Sequence, residues 1–294
     1  MTYPGGKNGA GVYQAIINQM PPHRRYIEPF VGGGAILLHK RPAVETHIAD
    51  LNETALTAIY DECRRRGVAV QAHHTCGIAM LRNLQARRDD LVYCDPPYVW
   101  STRTKTKVYD HEMTDADHAR LLAAVTRLDC MVMLSGYDNL LYRAELADWR
   151  RVEYMAPTRG GPRPEVLWCN FPEPVTLHDY RYLGEDYRER ERIARKVTRW
   201  RNKFVAMPEL ERRAVLTALL SVETAIHDRA SPEGQGRDSG IAEGVERIQR
   251  DFSPSSSDKG TAGDHELGER PRHKAGFPQS AALAASGGAP WGTE

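Results

Sequence analysis

The chain has little with which to cross-link itself. Its five cysteines, Cys63, Cys76, Cys94, Cys130 and Cys169, are odd in number, scattered and free of any Cys-x-x-Cys pair. That pattern excludes a disulfide framework and a paired-thiolate zinc site, and it predicts a reducing, cytoplasmic setting. His73-His74-x-Cys76 lacks a second ligand pair, so no metal is expected. No apolar run approaches the roughly 20 residues of a membrane span, and no signal-peptide core opens the chain. The expected protein is soluble and intracellular. Charge of one sign is missing too: the net charge is +1 with 27% charged residues, so any nucleic-acid surface must be local. With 41% hydrophobic residues among 294, the chain can build one domain of ordinary size plus an appendage.

Against that background one stretch stands out, Leu91-Val92-Tyr93-Cys94-Asp95-Pro96-Pro97-Tyr98. A strand-forming run stops at a carboxylate, two prolines and an aromatic. Prolines lack the N–H a central strand needs, so the strand ends here. Asp95 and Tyr98 are thereby delivered to its carboxyl end, where ligands bind in open α/β sheets.

Two earlier segments have the same strand-then-loop form. Arg25-Tyr26-Ile27-Glu28-Pro29-Phe30-Val31 runs into Gly32-Gly33-Gly34 and the apolar Ala35 to Leu38. This predicts a strand, a turn without Cβ atoms and a helix start that favours an anionic group. Thr46 to Asp50 predicts a second strand ending in an acid, about 18 residues past the glycines, where ribose hydroxyls are commonly accepted. Asp50 or Asn52 can equally cap the helix expected over Glu53–Arg66. Ahead of all this, Tyr3-Pro4-Gly5-Gly6-Lys7 reads as a loop whose glycines admit a ligand and whose lysine meets an anion. A helix follows, with Val12, Ile16, Ile17 and Met20 on one side.

Taken in order, Gly5-Gly6-Lys7, Glu28 to Gly34, Asp50-Leu51-Asn52 and Asp95-Pro96-Pro97-Tyr98 resemble the motif series of the Dam-type (D12 class) DNA adenine-N6 methyltransferases. The resemblance continues through Tyr109-Asp110-His111, Asp117-His118, Leu134 to Tyr137 and the segment Arg159, Arg163, Glu165 to Leu167 and Asn170, covering about residues 1–175. It implies an α/β, Rossmann-like sheet and a site-specific DNA methyltransferase. The methyl donor would be S-adenosylmethionine (SAM), the acceptor the N6 amine of adenine in double-stranded DNA. By the same resemblance, Tyr3, Lys7, Glu28, Phe30, Gly32, Gly33, Gly34, Asp50 and Asp95 hold SAM, and Asp95, Pro96, Pro97 and Tyr98 form the catalytic motif. Tyr3 stands where tryptophan is usual. Other readings are methylation of cytosine N4, where the motif more often begins with Ser, or of RNA. A non-catalytic SAM- or DNA-binding relative and a nucleotide-dependent oxidoreductase stand further off.

One departure concerns target recognition. Family members usually carry a sizeable insert between the acid-tipped and catalytic strands. Here Glu53 to Asp90 accommodate a helix, a candidate strand at Val68–Ala72 and a helix from Ile78 to Arg88, so no target sequence carries over. A compact enzyme without that insert suits a phage or mobile element by analogy. The basic, hydroxyl-rich loop with Arg103, Lys105 and Lys107, and the turn bearing Arg159 and Arg163, are the candidate DNA contacts.

The expected organisation is a catalytic domain over 1–180, a basic helical appendage over 187–227 and a disordered tail over 228–294. The appendage reads as a hairpin, with Ile193, Val197, Trp200 and Phe204 on one helix and Val215, Leu219, Val222 and Ile226 on the next. Three roles are open to it: packing on the catalytic domain, pairing in a homodimer, or laying its basic face on DNA.

Overall fold

In the computed structural model, which describes residues 6–9, 11–99, 112–158 and 161–230, the apolar runs become strands of one seven-stranded sheet. Five are parallel: β1 (Arg25–Glu28), β2 (Glu45–Asp50), β3 (Gln71–His74), β4 (Asp90–Cys94) and β5 (Met131–Gly136). The hairpin of β6 (Arg150–Thr158) and β7 (Gly161–Cys169) joins β5 through antiparallel β7. The order is β3-β2-β1-β4-β5-β7-β6. This is the expected Rossmann-like α/β arrangement. The connections reverse direction between β1 and β4, which opens a crevice at the carboxyl ends of those two strands.

Alternation along the strands sends side chains to two cores. Tyr26, Leu91, Tyr93, Met133, Leu167 and Cys169 face one side. There they pack with Ile16 and Ile17 of α1 (Val12–Ile17), Ile36 and Leu37 of α2 (Ala35–His39), and Leu56, Ile59 and Cys63 of α3 (Glu53–Arg65). Ile27, Val92, Cys94, Val132, Leu134 and Trp168 face the other. Their partners are Ile78 and Leu81 of α4 (Gly77–Asn83), Leu121 and Leu122 of α5 (Asp115–Val125) and Tyr142 of α6 (Leu140–Glu145). Both faces of β4 are therefore covered, which is why its sequence carries no charge from Leu91 to Cys94.

A buried ion pair pins the opposite end of the crevice strands. Arg25 opens β1 beside Asp90, its register partner in β4. Its Nε donates to Asp90 at 2.9 Å and its Nη2 makes a second bond to the same carboxylate. That Nη2 also donates to the Gln85 carbonyl at 2.7 Å, and the Arg87 N–H donates to Asp90 at 2.7 Å. These bonds explain one correction. The helix expected to reach Arg88 stops at Asn83, because residues 85–90 are drawn into this network instead. The strand expected at Val68–Ala72 likewise begins only at Gln71, since the Val68 N–H is used to close the end of α3 on the Cys63 carbonyl (2.9 Å).

After β7 the chain straps back along α1 and α2. His178 N–H donates to the Met20 carbonyl at 2.9 Å, Asp179 accepts from Arg41 N–H at 2.8 Å, and Tyr182 OH donates to the His39 carbonyl at 3.0 Å. Two helices follow, α7 (Tyr187–Ala206), capped by Asp186, and α8 (Glu209–Ala230). No helix among the described residues is long and apolar enough to cross a membrane. The tail expected to be disordered lies, from 231 onward, outside the described residues, as does all of the second compact unit, Ile241–Glu294.

Candidate active site

β1, β2 and β4 end side by side, and their last residues meet in one open cleft of about 810 Å³. Phe30, Gly32, Asp50, Asn52, Ile78, Asp95 and Pro97 line it, together with Asp117 and Met113.

The glycine turn is built as its composition requires. Gly32 and Gly34 sit at φ 47° and 62°, in the left-handed region that costs an L side chain energy. A Cβ at Gly34 would also come within 2.9 Å of Ile59. The α2 helix behind the turn has only five residues, so its dipole is small; the exposed edge of the turn is the feature open to a ligand.

Asp50 braces that turn. One carboxylate oxygen accepts from the Gly32 N–H at 2.8 Å, the other from the Asn52 N–H at 2.9 Å. Asn52 is the cap of α3, accepting from the Ala55 N–H at 3.0 Å. Asp50 also lines the cleft, and a carboxylate oxygen that accepts one hydrogen bond has capacity for another, so bracing and hydroxyl recognition are compatible.

β4 delivers the motif. Asp95 has an 18% exposed side chain in the cleft, while Tyr98 is 6% exposed. Pro96 is buried and Pro97 lines the wall. The Lys7 ammonium, buried to 3% exposure, lies 2.9 Å from Asp95 and 3.3 Å from Glu165. It donates to the Tyr98 hydroxyl at 2.5 Å and sits 4.8 Å from the centre of that ring. Tyr98 OH in turn donates to Glu165 at 2.7 Å, and Tyr154 OH donates to the same oxygen at 2.9 Å.

The charges follow from this packing. Burial pushes the Asp95 carboxyl above the usual aspartate range, and Lys7 opposes that push without cancelling it. Burial also works against the Lys7 charge, but Asp95 and its neighbours overcome it and hold the lysine above its ordinary value. Burial and the nearby Asp95 carboxylate keep Tyr98 protonated, as its role of donor requires.

Glu165, on β7, had no place among the residues singled out for chemistry, although it anchors both tyrosines. The sequence signal was a lone acid at the head of an apolar run, Glu165-Val166-Leu167-Trp168, where a strand entering the core should carry no charge. Gly77 was also missed. A Cβ there would meet the Pro29 carbonyl oxygen at 2.4 Å and the Phe30 ring at 2.8 Å, so only glycine lets α4 close the floor of the cleft.

The other expected site residues are placed as follows. Glu28 is inside the sheet and is not among the residues lining the cleft; it accepts from Tyr26 OH at 2.9 Å and from the Leu37 N–H. Arg163 lies 3.7 Å over the Tyr137 ring, which packs edge-on against Tyr98. Asp117 lines the cleft and closes a reciprocal cap with Thr114 at the start of α5, while His118 reaches the Tyr142 hydroxyl at 3.0 Å. Tyr3, Arg103, Lys105, Lys107 and Arg159 lie outside the described residues, as do Gly5 and Tyr109 to His111.

Glu28 carries a testable consequence. Burial raises its pKa from 4.5 to about 8. The folded chain therefore holds a proton that the unfolded chain releases above about 4.5, and stability falls as pH rises through that window. Glu28→Gln should remove this slope, up to roughly 1.4 kcal/mol per pH unit, relative to the parent in urea unfolding at pH 5, 6.5 and 8. Parallel stability profiles for the two proteins would show that Glu28 ionises normally.

No curated protein sequence matches the chain. Among solved structures, similar folds include precorrin-8W decarboxylase from Methanobacterium thermoautotrophicum, at 12% identity over 57% of this chain and 94% of that one, TM-score 0.38. Magnesium protoporphyrin IX methyltransferase from Synechocystis PCC 6803, solved with bound SAM, matches at 14% identity over 54% and 75%, TM-score 0.37. An rRNA methylase from Streptococcus thermophilus matches at 10% identity over 53% and 90%, TM-score 0.36. At the level of sequence families, residues 61–145, from late α3 to the end of α6, match the family model described as D12 class N6 adenine-specific DNA methyltransferase.

Proposed function

We propose that this chain transfers a methyl group from SAM to the N6 amine of adenine in double-stranded DNA. The observation that carries the reading is the convergence of Asp95, Asp50 and Gly32 of the glycine turn on one cleft at the sheet's switch point. The cleft fits the cofactor. A turn free of Cβ atoms admits the amino-acid end, Asp50 offers acceptors for ribose hydroxyls, and Phe30 and Ile78 offer apolar walls for a base. SAM supplies an electrophilic methyl on a sulfonium whose sulfur leaves neutral.

The remaining work falls to the chain's own residues. An aromatic amine is a weak nucleophile because its lone pair is delocalised into the ring. The Asp95 carboxylate and the Pro96 carbonyl would accept hydrogen bonds from its two N–H groups, favour a pyramidal nitrogen and stabilise the positive charge that develops on it; one of those protons would then be lost to solvent, leaving the methylated amine neutral. Holding amine and methyl in line contributes through proximity. Lys7 and Glu165 clamp Asp95 and Tyr98 so that neither must reorganise. The base must leave the duplex to arrive there. Residues 1–180 would form the catalytic domain, and the helices that follow an appendage.

The test is direct. Protein is incubated with methyl-labelled SAM and mixed-sequence duplex DNA, the DNA is digested to nucleosides, and the labelled nucleoside is identified by mass spectrometry. Labelled N6-methyladenine is the expected product. Label on cytosine N4 would overturn the choice of base, and label on RNA in a parallel incubation, with none on DNA, would overturn the choice of substrate.

A further inference from the structure

Between β2 and β4 the chain holds only α3, β3 and α4, with no separate layer for gripping a duplex. The surface that fits this task lies on α7, which has no buried side chain. Turned at 100° per residue, its cations divide unevenly. Arg188, Arg192, Arg195, Lys196, Arg199 and Lys203 fall on one arc of about 100°, and all six are exposed. Ile193, Val197, Trp200 and Phe204 fall on a different arc, so the basic stripe is not interleaved with apolar residues. Among the described residues only Arg192 of the stripe is held in an ion pair, with Glu189 at 3.1 Å. Alongside runs a shallow groove where Ala194, Thr198 and Asn202 leave room beside Arg195, Arg199 and Lys203, with Glu191 as its one acid.

We propose that this face of α7 is a docking surface for the phosphate backbone of duplex DNA, an inference that rests on the methyltransferase reading only for the identity of the polymer. Charge complementarity carries it. Fifteen residues of helix are roughly 22 Å long, and one DNA strand presents about six phosphates over that length. Four of the six cations are arginines, whose planar donors suit phosphate oxygens. The segment before α7 is tied to the body of the protein by the bonds of His178, Asp179 and Tyr182, so the helix starts from a fixed point. That same His39 carbonyl region adjoins the loop bearing Lys7, through the 3.2 Å contact of His39 with Asn8.

The test uses the full chain. Arg195, Lys196, Arg199 and Lys203 are changed together to Gln, and Kd for mixed-sequence duplex DNA is measured across a salt series. The logarithmic salt slope should shrink by about 3–4, with circular dichroism and melting matching the parent. A version with Arg195→Lys and Arg199→Lys should keep the parental slope. Should the fourfold variant fail to fold, Arg195→Gln with Arg199→Gln decides, with about half that change. An unchanged slope overturns the proposal. So does loss of binding to anionic phosphatidylglycerol vesicles with DNA binding intact. Parent protein that shows the slope change yet puts no methyl on any DNA would instead overturn the catalytic reading and leave the docking surface standing.

Discussion

Asp95→Ala should lower the single-turnover rate of methyl transfer by at least about 10²–10³-fold, the usual effect of removing one preorganised electrostatic group from a transition state. The geometry makes the loss selective. Asp95 is the carboxylate that both faces the cleft and ends β4, whereas the glycine turn and Asp50 stand on β1 and β2. SAM binding, read as thermal protection, should therefore weaken but remain detectable. The fold should tolerate the change, because Lys7 keeps Glu165 as a counter-charge at 3.3 Å. Rates should also fall as pH drops through the Asp95 pKa, which burial places above the ordinary aspartate range. Full turnover by the alanine variant would remove Asp95 from the chemistry.

Lys7→Met tests the other half of the network. The substitution strands two carboxylates, Asp95 and Glu165, in a site where both side chains are mostly buried. Breaking a buried ion pair from one side costs on the order of 3 kcal/mol, so melting at neutral pH should fall by roughly 6–12 °C. Without the lysine, the Asp95 pKa should rise further. The acid limb of the pH–rate profile then moves to higher pH, and the stability difference narrows as acid protonates the stranded carboxylates. A variant that melts like its parent, with an unmoved acid limb, would show that Lys7 does not pair with Asp95.

Much of this site could be read along the chain because its pieces are local. Asp95 follows a strand that prolines must end, the glycine turn needs residues without Cβ, and Asp50 sits at a strand tip two residues from a helix cap. Each is a statement about a few neighbouring residues. Tyr98 was legible in position only. In the structure it is held by its hydroxyl, with Lys7 above the ring and Tyr137 at its edge. The partners responsible, Lys7 and Glu165, lie 91 and 67 residues away.

The same division runs through the molecule. The strand-then-loop segments, the proline stop and the glycine turn placed Asp50 and Asp95 at strand ends, and the motif series they form implied the α/β sheet through its resemblance to the D12 class, since strand ends and backbone freedom are properties of short segments. Only the tertiary structure decided where the α4 helix would end, because Arg25 competes for the carbonyl of Gln85 from a distant strand. It alone placed Glu28 inside the sheet rather than on the cleft, and joined Lys7, Asp95, Tyr98 and Glu165 into one charged cluster. Burial and long-range charge depend on which segments meet, and no local pattern carries that information.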